Sequence, residues 1–562
     1  MATQDKYDRQ LRLWGPKGQK ALGDTTVVLL RATAAGTETL KNLVLPGIGN
    51  VLLIDDAARV NKEYTSNFFL VADATKPRAQ VAWELLSELN DDVKGQFWHV
   101  EEGLTAACSK PEWWTHLWQS CASTSTKVLV VASDLEPPLL QLVSAACASR
   151  AAPLISIQSY GLLGMCRLQT PPLPILDPKP TNAPPDLRLR KPFERLQQLA
   201  DGVDWAKLES HQHSHVPYPL ILIKMAKEWK DAHSGALPKT QDEKQEFRQM
   251  IQAASRNIHN EVNFEEAMSN AYLAYTERNL DLDQLASLRD TLNGLLAKSS
   301  SSSTAPLQKF SAMLHALDAF MKQHDNEAPL HGTIPDMTAS TDWYVELQKA
   351  YHEQAAKDLE ELRGYLPTTS SGQVVELSTE ELTTFCQNVH AMELFQTRTI
   401  VEEMTGTNVT PELQEEWMMA TMDPYEEAEH TPILWWIGFR ACQVFYESHG
   451  RYPGVLDAWE DDIGPLQVCI GQVVQKMGLQ ENELIQSTLL AADDDEENPA
   501  PSASKFAQEL ARYGQCEIHA IASLVGGVAS QEAVKIITGQ YVPFNHTYIY
   551  NGIVSVGATY EF

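Results

Sequence analysis

The stretch from Thr26 to Gly36, which reads TVVLLRATAAG, decides the fold of this chain. Its first five residues, β-branched or apolar in succession, predict a buried strand, and Gly36 to Leu45 predicts the helix that follows. A second buried strand, Val51 to Ile54, ends on Asp55 and Asp56. Strand, turn, helix and a strand with an acidic end make up the first unit of a doubly wound nucleotide-binding fold.

The turn of this unit lacks the glycines that a bound phosphate requires. It keeps Gly36, but Ala32, Ala34 and Ala35 carry a Cβ where backbone N–H groups would have to approach the ligand. Asp55 or Asp56 could still hold a ribose, although an aspartate in the turn after a strand is the commoner explanation. We therefore expect a degenerate nucleotide site that holds no cofactor and no metal in this chain.

The residues before the first long proline-rich segment continue the alternation of strands and helices. Lys76 to Asn90 has helical periodicity, and Val128–Val131 and Leu154–Ile157 are further buried-strand runs. Strands that alternate with helices predict a parallel α/β sheet. We assign residues 1–168 to the first part of this Rossmann-like domain.

The middle of the chain has a different pattern. Residues 169–492 begin with a proline-rich crossing and then have helical periodicity almost throughout, apart from the serine run Ser299–Ser303. This pattern predicts a large all-helical insertion. The expected helices include Leu220–His233, Phe247–His259, Phe264–Tyr275, Trp343–Leu362 and Ile433–His449.

The α/β pattern returns in residues 493–562. The acidic run Asp493–Glu497 is interpreted as a linker, and Glu517–Thr538 predicts a helix rich in small residues. Two strands are expected after it, around Tyr541–Phe544 and Tyr548–Tyr550. The simplest topology is one α/β domain that a helical insertion interrupts.

Composition excludes several classes of function. The formal charge of −30 disfavours nucleic acid and anionic membranes as partners. Eight cysteines without a Cys-x-x-Cys pair disfavour a zinc ribbon or a disulfide framework. We see no apolar signal segment and no apolar run of membrane-spanning length, so we expect a protein of the cytoplasm or nucleus.

Four blocks resemble a known family. Lys6–Gly15 (KYDRQLRLWG) and Lys41–Gly49 (KNLVLPGIG) resemble signatures of the enzymes that activate ubiquitin-like proteins. His331–Met337 (HGTIPDM) and the block that begins at Glu517 narrow the resemblance to the regulatory subunits of the neddylation activating enzyme, within the ThiF-type superfamily. The regulatory subunits of the SUMO-activating enzyme share the opening block but are much shorter.

This resemblance implies a non-catalytic subunit of an obligate heterodimer that supports cullin neddylation. The catalytic partner would bind ATP and magnesium, form the thioester with the neddylation modifier and recruit the conjugating enzyme. Arg9 would be supplied in trans to the partner's ATP site, where a guanidinium suits phosphate oxygens. Without the resemblance, Arg9 and Arg12 would be read as solvated charges on a helix. A nucleotide-binding enzyme in its own right is the alternative.

The remaining parts of an adenylation site are incomplete in this sequence. Lys76 stands where a lysine would face phosphate, and Asp134 follows a strand without the context of a magnesium ligand. The segment around Asn67 lacks the arginine that active relatives carry. The cysteines read as small core residues rather than nucleophiles: Cys166, Cys386, Cys442 and Cys469.

Two other patterns could mark ligand sites. His211, His213 and His215 could lie on one face of a strand and bind a metal, but no carboxylate partner is evident, so we favour a structural role. The tryptophan pairs Trp113–Trp114 and Trp435–Trp436 are interpreted as core packing.

Overall fold

The computed structural model describes residues 6–60, 66–73, 75–125, 127–179, 186–257, 259–277, 280–298, 305–368, 375–405, 430–456, 458–490 and 504–562. The serine run and the acidic run both lie outside the described residues. The chain divides into two compact units. Unit 1 comprises residues 1–175 and 394–562, and unit 2 comprises residues 176–393.

Unit 1 is built on a mixed sheet. Among the described residues its strand order is β10-β9-β6-β5-β4-β1-β2-β3, in which β1 to β5 run parallel and β6, β9 and β10 pair antiparallel. A separate two-stranded sheet pairs β7 with β8. The strands are β1 Thr25–Leu30, β2 Asn50–Asp55, β3 Lys94–His99, β4 Lys127–Ser133, β5 Leu154–Tyr160, β6 Leu163–Gln169, β7 Leu173–Ile175, β8 Glu393–Phe395, β9 Thr547–Asn551 and β10 Val556–Tyr560.

Helices cover both faces of this sheet, and their apolar residues form cores with the buried strands. The α/β class predicted from the sequence is confirmed. The helices of unit 1 that precede the insertion are α1 Asp8–Gly23, α2 Ala34–Val44, α3 Arg78–Ser87, α4 Leu104–Cys108, α5 Pro111–Ala122 and α6 Pro137–Arg150.

Unit 2 is helical and has a core of its own, centred on Trp229, Phe247, Phe264 and Tyr351. A short 3₁₀ helix, Ala271–Ala274, follows the α-helix Val262–Ser269. Four of the five helices expected from periodicity lie here, with shifted ends. The α-helices are α7 Glu194–Asp201, α8 Ser210–His213, α9 Tyr218–Ala232, α10 Gln241–Ala254, α11 Val262–Ser269, α12 Leu282–Lys298, α13 Ala305–Gln323, α14 Thr341–Gly364 and α15 Thr379–Gln387.

The expected insertion, residues 169–492, is longer than unit 2. The helical segments after residue 394 return to unit 1, where α17 buries Trp435 and Trp436 in a core shared with Tyr160 of β5 and Ile549 of β9. Helical periodicity shows that one face of a helix is buried, but it does not show which part of the protein covers that face. The length predicted for the insertion was therefore too great. These segments are α16 Ile400–Thr405, α17 Pro432–His449, the 3₁₀ helix Trp459–Asp462, α18 Ile463–Lys476, α19 Glu483–Thr488, α20 Lys505–Tyr513 and α21 His519–Thr538.

Two strand assignments need correction. Tyr541–Phe544 does not join the sheet; Pro543 lacks the N–H that a ladder needs, and the N–H of Phe544 donates to Glu532. The strand that pairs with β9 is instead β10. The edge strand β3, which begins Lys94-Gly95-Gln96, was not predicted because those residues are partly or fully exposed and carry no apolar run.

Helix α21 also departs from expectation. By length and apolar composition alone it could cross a membrane, although no membrane-spanning segment is expected from the sequence. More than half of its most apolar window is buried, and it packs on α2 and on strands β5 and β6. This is the position of a core helix. Gly526 allows its closest approach to α2, because a Cβ there would lie 2.8 Å from Cβ of Glu38.

Candidate functional site

The N-terminus of α2 is bonded to a carboxylate of the chain itself. The backbone N–H groups of Ala34 and Ala35 donate to the two carboxylate oxygens of Glu517, over 2.9 and 3.1 Å. In a nucleotide-binding fold the N–H groups at the start of this helix bind the phosphate. Glu517 precedes α21, so the packing of α21 on α2 brings an internal anion to this position.

Three other backbone donors of the turn, those of Arg31, Ala32 and Gly36, are bonded internally as well. The N–H of Ala32 donates to Asp55 over 2.7 Å, and that of Gly36 donates to Oγ1 of Thr33, the N-cap of α2. Arg31 donates its N–H to the carbonyl of Ile54 over 2.8 Å. These donors therefore have partners without any ligand, and Ala32, Ala34 and Ala35 are fully buried.

Gly36 is retained for packing rather than for a phosphate. A Cβ at this position would lie 3.0 Å from the carbonyl oxygen of Arg31 and from Leu29, and 3.1 Å from Ser133. The first turn of α2 thus lies directly on β1 and β4. In dinucleotide-binding turns one glycine serves this close helix–strand contact, while the others make room for the ligand.

Asp55, the expected relic of a ribose ligand, lies at the end of β2 and is fully buried. The guanidinium of Arg78, at the start of α3, donates to both carboxylate oxygens over 2.7 and 2.8 Å. Burial opposes the charge on Asp55, but Arg78 and the N–H groups of Ala32 and Ala57 outweigh it and hold the pKa of this carboxyl below its usual value. Both carboxylate oxygens of Asp55 are thus engaged by Arg78, which agrees with a structural role for this aspartate.

Asp134 lies at the end of β4, in the place expected for a magnesium ligand. Its Oδ1 accepts from the N–H of Ser159 over 3.0 Å, whereas its buried Oδ2 has no hydrogen-bond partner. Burial and the charge of Glu517 raise the pKa of Asp134 well above its usual value. Burial also raises the pKa of Glu517, but the N–H groups of Ala34 and Ala35 favour its charged form. Burial and the like charge thus favour a protonated Asp134, and the two N–H groups favour a charged Glu517.

Two further side chains expected near phosphate are engaged elsewhere. Asn67 is buried, accepts from Oγ1 of Thr37 over 3.1 Å and donates to the carbonyl of Ala32 over 3.3 Å. Lys76, two residues before α3, is partly exposed and pairs with Glu84 of that helix over 2.7 Å. Asn67 thus holds the turn in place, and Lys76 does not reach it.

Arg9 lies on the exposed side of α1. The helix is anchored through Tyr7, whose buried hydroxyl donates to Asp92 over 3.0 Å. Arg12 pairs with Asp8 over 2.9 Å, but within the described residues Arg9 has neither an ion pair nor a hydrogen bond through its side chain. Leu13, one turn further on, has 57% of its surface exposed. An unpaired guanidinium and an exposed leucine therefore share one face of an anchored helix.

The four cysteines interpreted as core residues are buried. Burial raises the pKa of Cys386 to about 12 and raises that of Cys442 further, so neither thiol ionises near neutral pH. Cys516, which no sequence pattern marks as functional, is exposed and directly precedes Glu517.

The three histidines lie in and after the short helix α8, not on a strand as weighed above. His213 is buried, 2.6 Å from Glu261 through Nδ1, and stacks on Phe264. His211 and His215 stack on each other. Throughout the described residues no group of three or more His, Cys, Asp or Glu side chains is placed to hold a metal ion. The carboxylate partner of His213 was not evident from the sequence because it lies on the loop before α11.

The tryptophan pairs lie as expected. Trp435 and Trp436 are buried in unit 1, and Trp114 is buried with its Nε1 donating to the carbonyl of Cys108 over 2.8 Å. Their packing role is confirmed.

Sequence reasoning missed the two residues that close the site, Arg78 and Glu517. Arg78 lies inside a segment correctly expected to be helical, but no local pattern pairs it with Asp55. Glu517 was noted only as part of a block of resemblance. Both act through contacts between distant segments, which periodicity does not report.

The fold places this chain in a known family of α/β proteins, the ThiF family. The model of the ThiF family matches residues 7–556, which is nearly the whole chain. The matching region includes both parts of unit 1 and the inserted unit 2.

Curated relatives place the chain more narrowly. It is 35% identical to the NEDD8-activating enzyme E1 regulatory subunit of Gallus gallus, over 99% of this chain and 98% of that protein. It is 32% identical to the protein of the same name from Danio rerio, over 100% and 99% of the two chains. The regulatory subunit AXR1 of Arabidopsis thaliana is also 32% identical, over 98% and 94%. The chain belongs to the family of NEDD8-activating enzyme E1 regulatory subunits, and the resemblance described from the sequence is confirmed.

Proposed function

We propose that this chain is the non-catalytic subunit of a heterodimeric NEDD8-activating enzyme and does not bind ATP itself. The observation that carries the proposal is the pair of hydrogen bonds that the N–H groups of Ala34 and Ala35 donate to the carboxylate of Glu517. A phosphate at this position would have to displace an internal anion to which the helix is already bonded, and would meet its charge. The buried pair of Asp55 and Arg78 removes the ribose ligand in the same way.

The catalytic partner supplies ATP binding, magnesium and the cysteine that forms the thioester. In this chain the buried cysteines have pKa values raised far above neutral pH, so they do not serve as nucleophiles. This chain supplies half of a pseudo-symmetric dimer of adenylation domains. The complex acts in the cytoplasm or nucleus, upstream of cullin modification.

Arg9 is the one residue that we propose to act in catalysis. Its side chain is exposed, is unpaired within the described part of the chain and shares a helix face with Leu13. Exposed apolar residues and arginines are common at protein interfaces. Leu13 beside the unpaired guanidinium of Arg9 therefore suits an interface that has an anionic group at its margin. A planar guanidinium stabilises charge that develops on a leaving pyrophosphate.

Calorimetry with magnesium-ATP tests the proposal on three samples, which are this chain, the catalytic partner and the reconstituted heterodimer. We expect one ATP site per heterodimer and no saturable binding to this chain alone. Pyrophosphate exchange should require the partner. Tight, magnesium-dependent ATP binding to the isolated chain would contradict the proposal and favour a nucleotide-binding enzyme in its own right.

A further inference from the structure

Unit 2 contains a basic cavity that the proposed function does not use. The cavity has a volume of about 670 Å³, within the range of small-molecule sites. Three segments line it: the stretch before α7, the connection from α9 into α10, and the segment after the 3₁₀ helix. Five cationic side chains and one carboxylate, that of Glu277, face it. The cations are Arg190, Lys191, Lys230, Lys239 and Lys244.

Three of these cations have no acidic partner among the residues that the structure describes. Arg190 pairs with Glu277, and Lys191 lies 3.4 Å from the exposed Asp325. Within the described residues, no carboxylate lies within ion-pair distance of Lys230, Lys239 or Lys244. Lys230 donates only to the carbonyl of Arg190, over 3.4 Å. Clustered like charges repel one another, so this arrangement costs free energy unless an anion binds.

The wall of the cavity is anchored in the core of unit 2. The ammonium of Lys244 lies 5.6 Å from the centre of the Tyr275 ring, a cation–π contact. Tyr275 packs edge-on against Phe247, which is fully buried. Lys230 and Lys244 are half-buried. Two of the three unpaired cations are therefore held by packed elements rather than carried on a free loop.

The charge of the rest of the chain limits the size of the ligand. Acidic residues outnumber basic ones by 74 to 44. A long polyanion such as a nucleic acid would extend from the cavity over a repulsive surface, whereas a compact anion would remain among the lysines. Ammonium groups at several angles suit phosphate oxygens, which need no planar partner.

We propose that this cavity binds a small, phosphate-rich anion. The site lies wholly within unit 2 and includes no residue of the degenerate nucleotide site, so its test is independent of the function proposed above. The lysines supply the charge, and Tyr275 supplies an apolar wall for whatever organic part the ligand carries.

Calorimetry with tripolyphosphate, on the full chain in about 50 mM salt, tests the proposal. The double variant Lys239→Glu and Lys244→Glu removes two unpaired cations from the cavity. Its matched control, Lys207→Glu and Lys349→Glu, changes net charge equally at lysines that are mostly exposed and lie outside the cavity. We expect the first variant to weaken binding at least tenfold and the control by less than about threefold. Thermal unfolding verifies that both variants fold.

Three outcomes would overturn the proposal. The first is no binding of tripolyphosphate to the wild-type chain. The second is equal binding by both double variants, which would place the anion elsewhere, for example at the N-terminus of α2. The third is binding of an acidic peptide but not of tripolyphosphate through the same lysines, which would make the cavity a protein-docking site.

Discussion

The carboxylate of Glu517 lies 2.9 Å from the backbone nitrogen of Ala34, although 483 positions separate the two residues in the chain. This contact joins the start of α2, near one end of the sequence, to a residue two positions before α21, near the other. It gives the fold its own anion at the place where relatives with a glycine loop would bind a phosphate. The alanine-rich turn and the carboxylate of Glu517 thus lie together at the start of α2.

Glu517→Ala should destabilise unit 1 by about 2 kcal/mol, because two buried donors lose a charged acceptor. Inorganic phosphate should then raise the unfolding temperature of this variant more than that of the wild type, since the N–H groups of Ala34 and Ala35 are free to bind it. Thermal unfolding with and without phosphate measures both effects. The exposed Glu101→Ala is the control. An unchanged unfolding temperature in Glu517→Ala would show that the contact contributes nothing.

Asp134→Asn should stabilise the protein at neutral pH. The folded state raises the pKa of Asp134 above the unfolded value, so stability is greatest below the unfolded pKa and falls as pH rises towards the folded one. An asparagine removes this loss because it stays neutral beside Glu517 at every pH. We expect the gain, about 1 kcal/mol at pH 7.5, to shrink at pH 5.5.

Urea unfolding of Asp134→Asn at several pH values between 5.5 and 7.5 provides the measurement, with the exposed Asp91→Asn as control. A stabilisation that does not depend on pH would contradict the raised pKa of Asp134.

Gly526→Ala and Gly527→Ala should have opposite effects although they are neighbours on α21. A Cβ at Gly526 would lie 2.8 Å from Cβ of Glu38 and 2.9 Å from the carbonyl oxygen of Ala35, whereas nothing lies within 4 Å of one at Gly527. The first change should cost about 1–3 kcal/mol. The second should gain up to about 1 kcal/mol from helix propensity. Thermal unfolding of both variants tests this prediction. Equal shifts in their unfolding temperatures would refute the close packing of α21 on α2.

Arg9→Ala should slow adenylation by the reconstituted heterodimer by about 30- to 1,000-fold, the cost of losing one charge-assisted contact in the transition state. Arg9→Lys should recover only part of the rate, because an ammonium lacks the planar fork. Arg12→Ala is the matched control, on the same helix but paired with Asp8. Pyrophosphate exchange at saturating modifier measures the rate, and gel filtration monitors assembly. An unchanged rate in Arg9→Ala would leave this subunit a scaffold.

Replacement of Cys386, Cys442 or Cys516 by alanine, one at a time, should leave the thioester of the heterodimer intact. The first two thiols are buried with raised pKa values. Cys516 is the more demanding case because it is exposed. Non-reducing electrophoresis of the modifier-charged heterodimer detects the thioester. Loss of the thioester in a folded variant would move the nucleophile to this chain.

Local patterns predicted the elements that carry the site. Buried runs located β1 and β2, and the segment Gly36–Leu45 located most of α2 between them. Periodicity also located the principal helices of unit 2. These successes share one cause, since each rests on residues close together in sequence.

The remaining features depend on contacts between distant segments. The pairing of Arg78 with Asp55 and the position of Glu517 follow from how helices pack on the sheet, which no local window encodes. The end of the insertion was misplaced because α17 has the same periodicity whether it packs in unit 1 or in unit 2. Strand β3 was missed because an edge strand with partly exposed residues lacks the apolar run of a central strand.

The pairing of β6 with β9 also sets an order of events during synthesis. Roughly 380 residues separate the two strands, and a ribosome needs roughly 20 to 80 s to make them. During this interval the backbone donors and acceptors along one side of β6 have no partner strand. Unit 2 has its own core and can fold meanwhile. The nascent α/β domain therefore depends on protection of one open sheet edge until its last strands emerge.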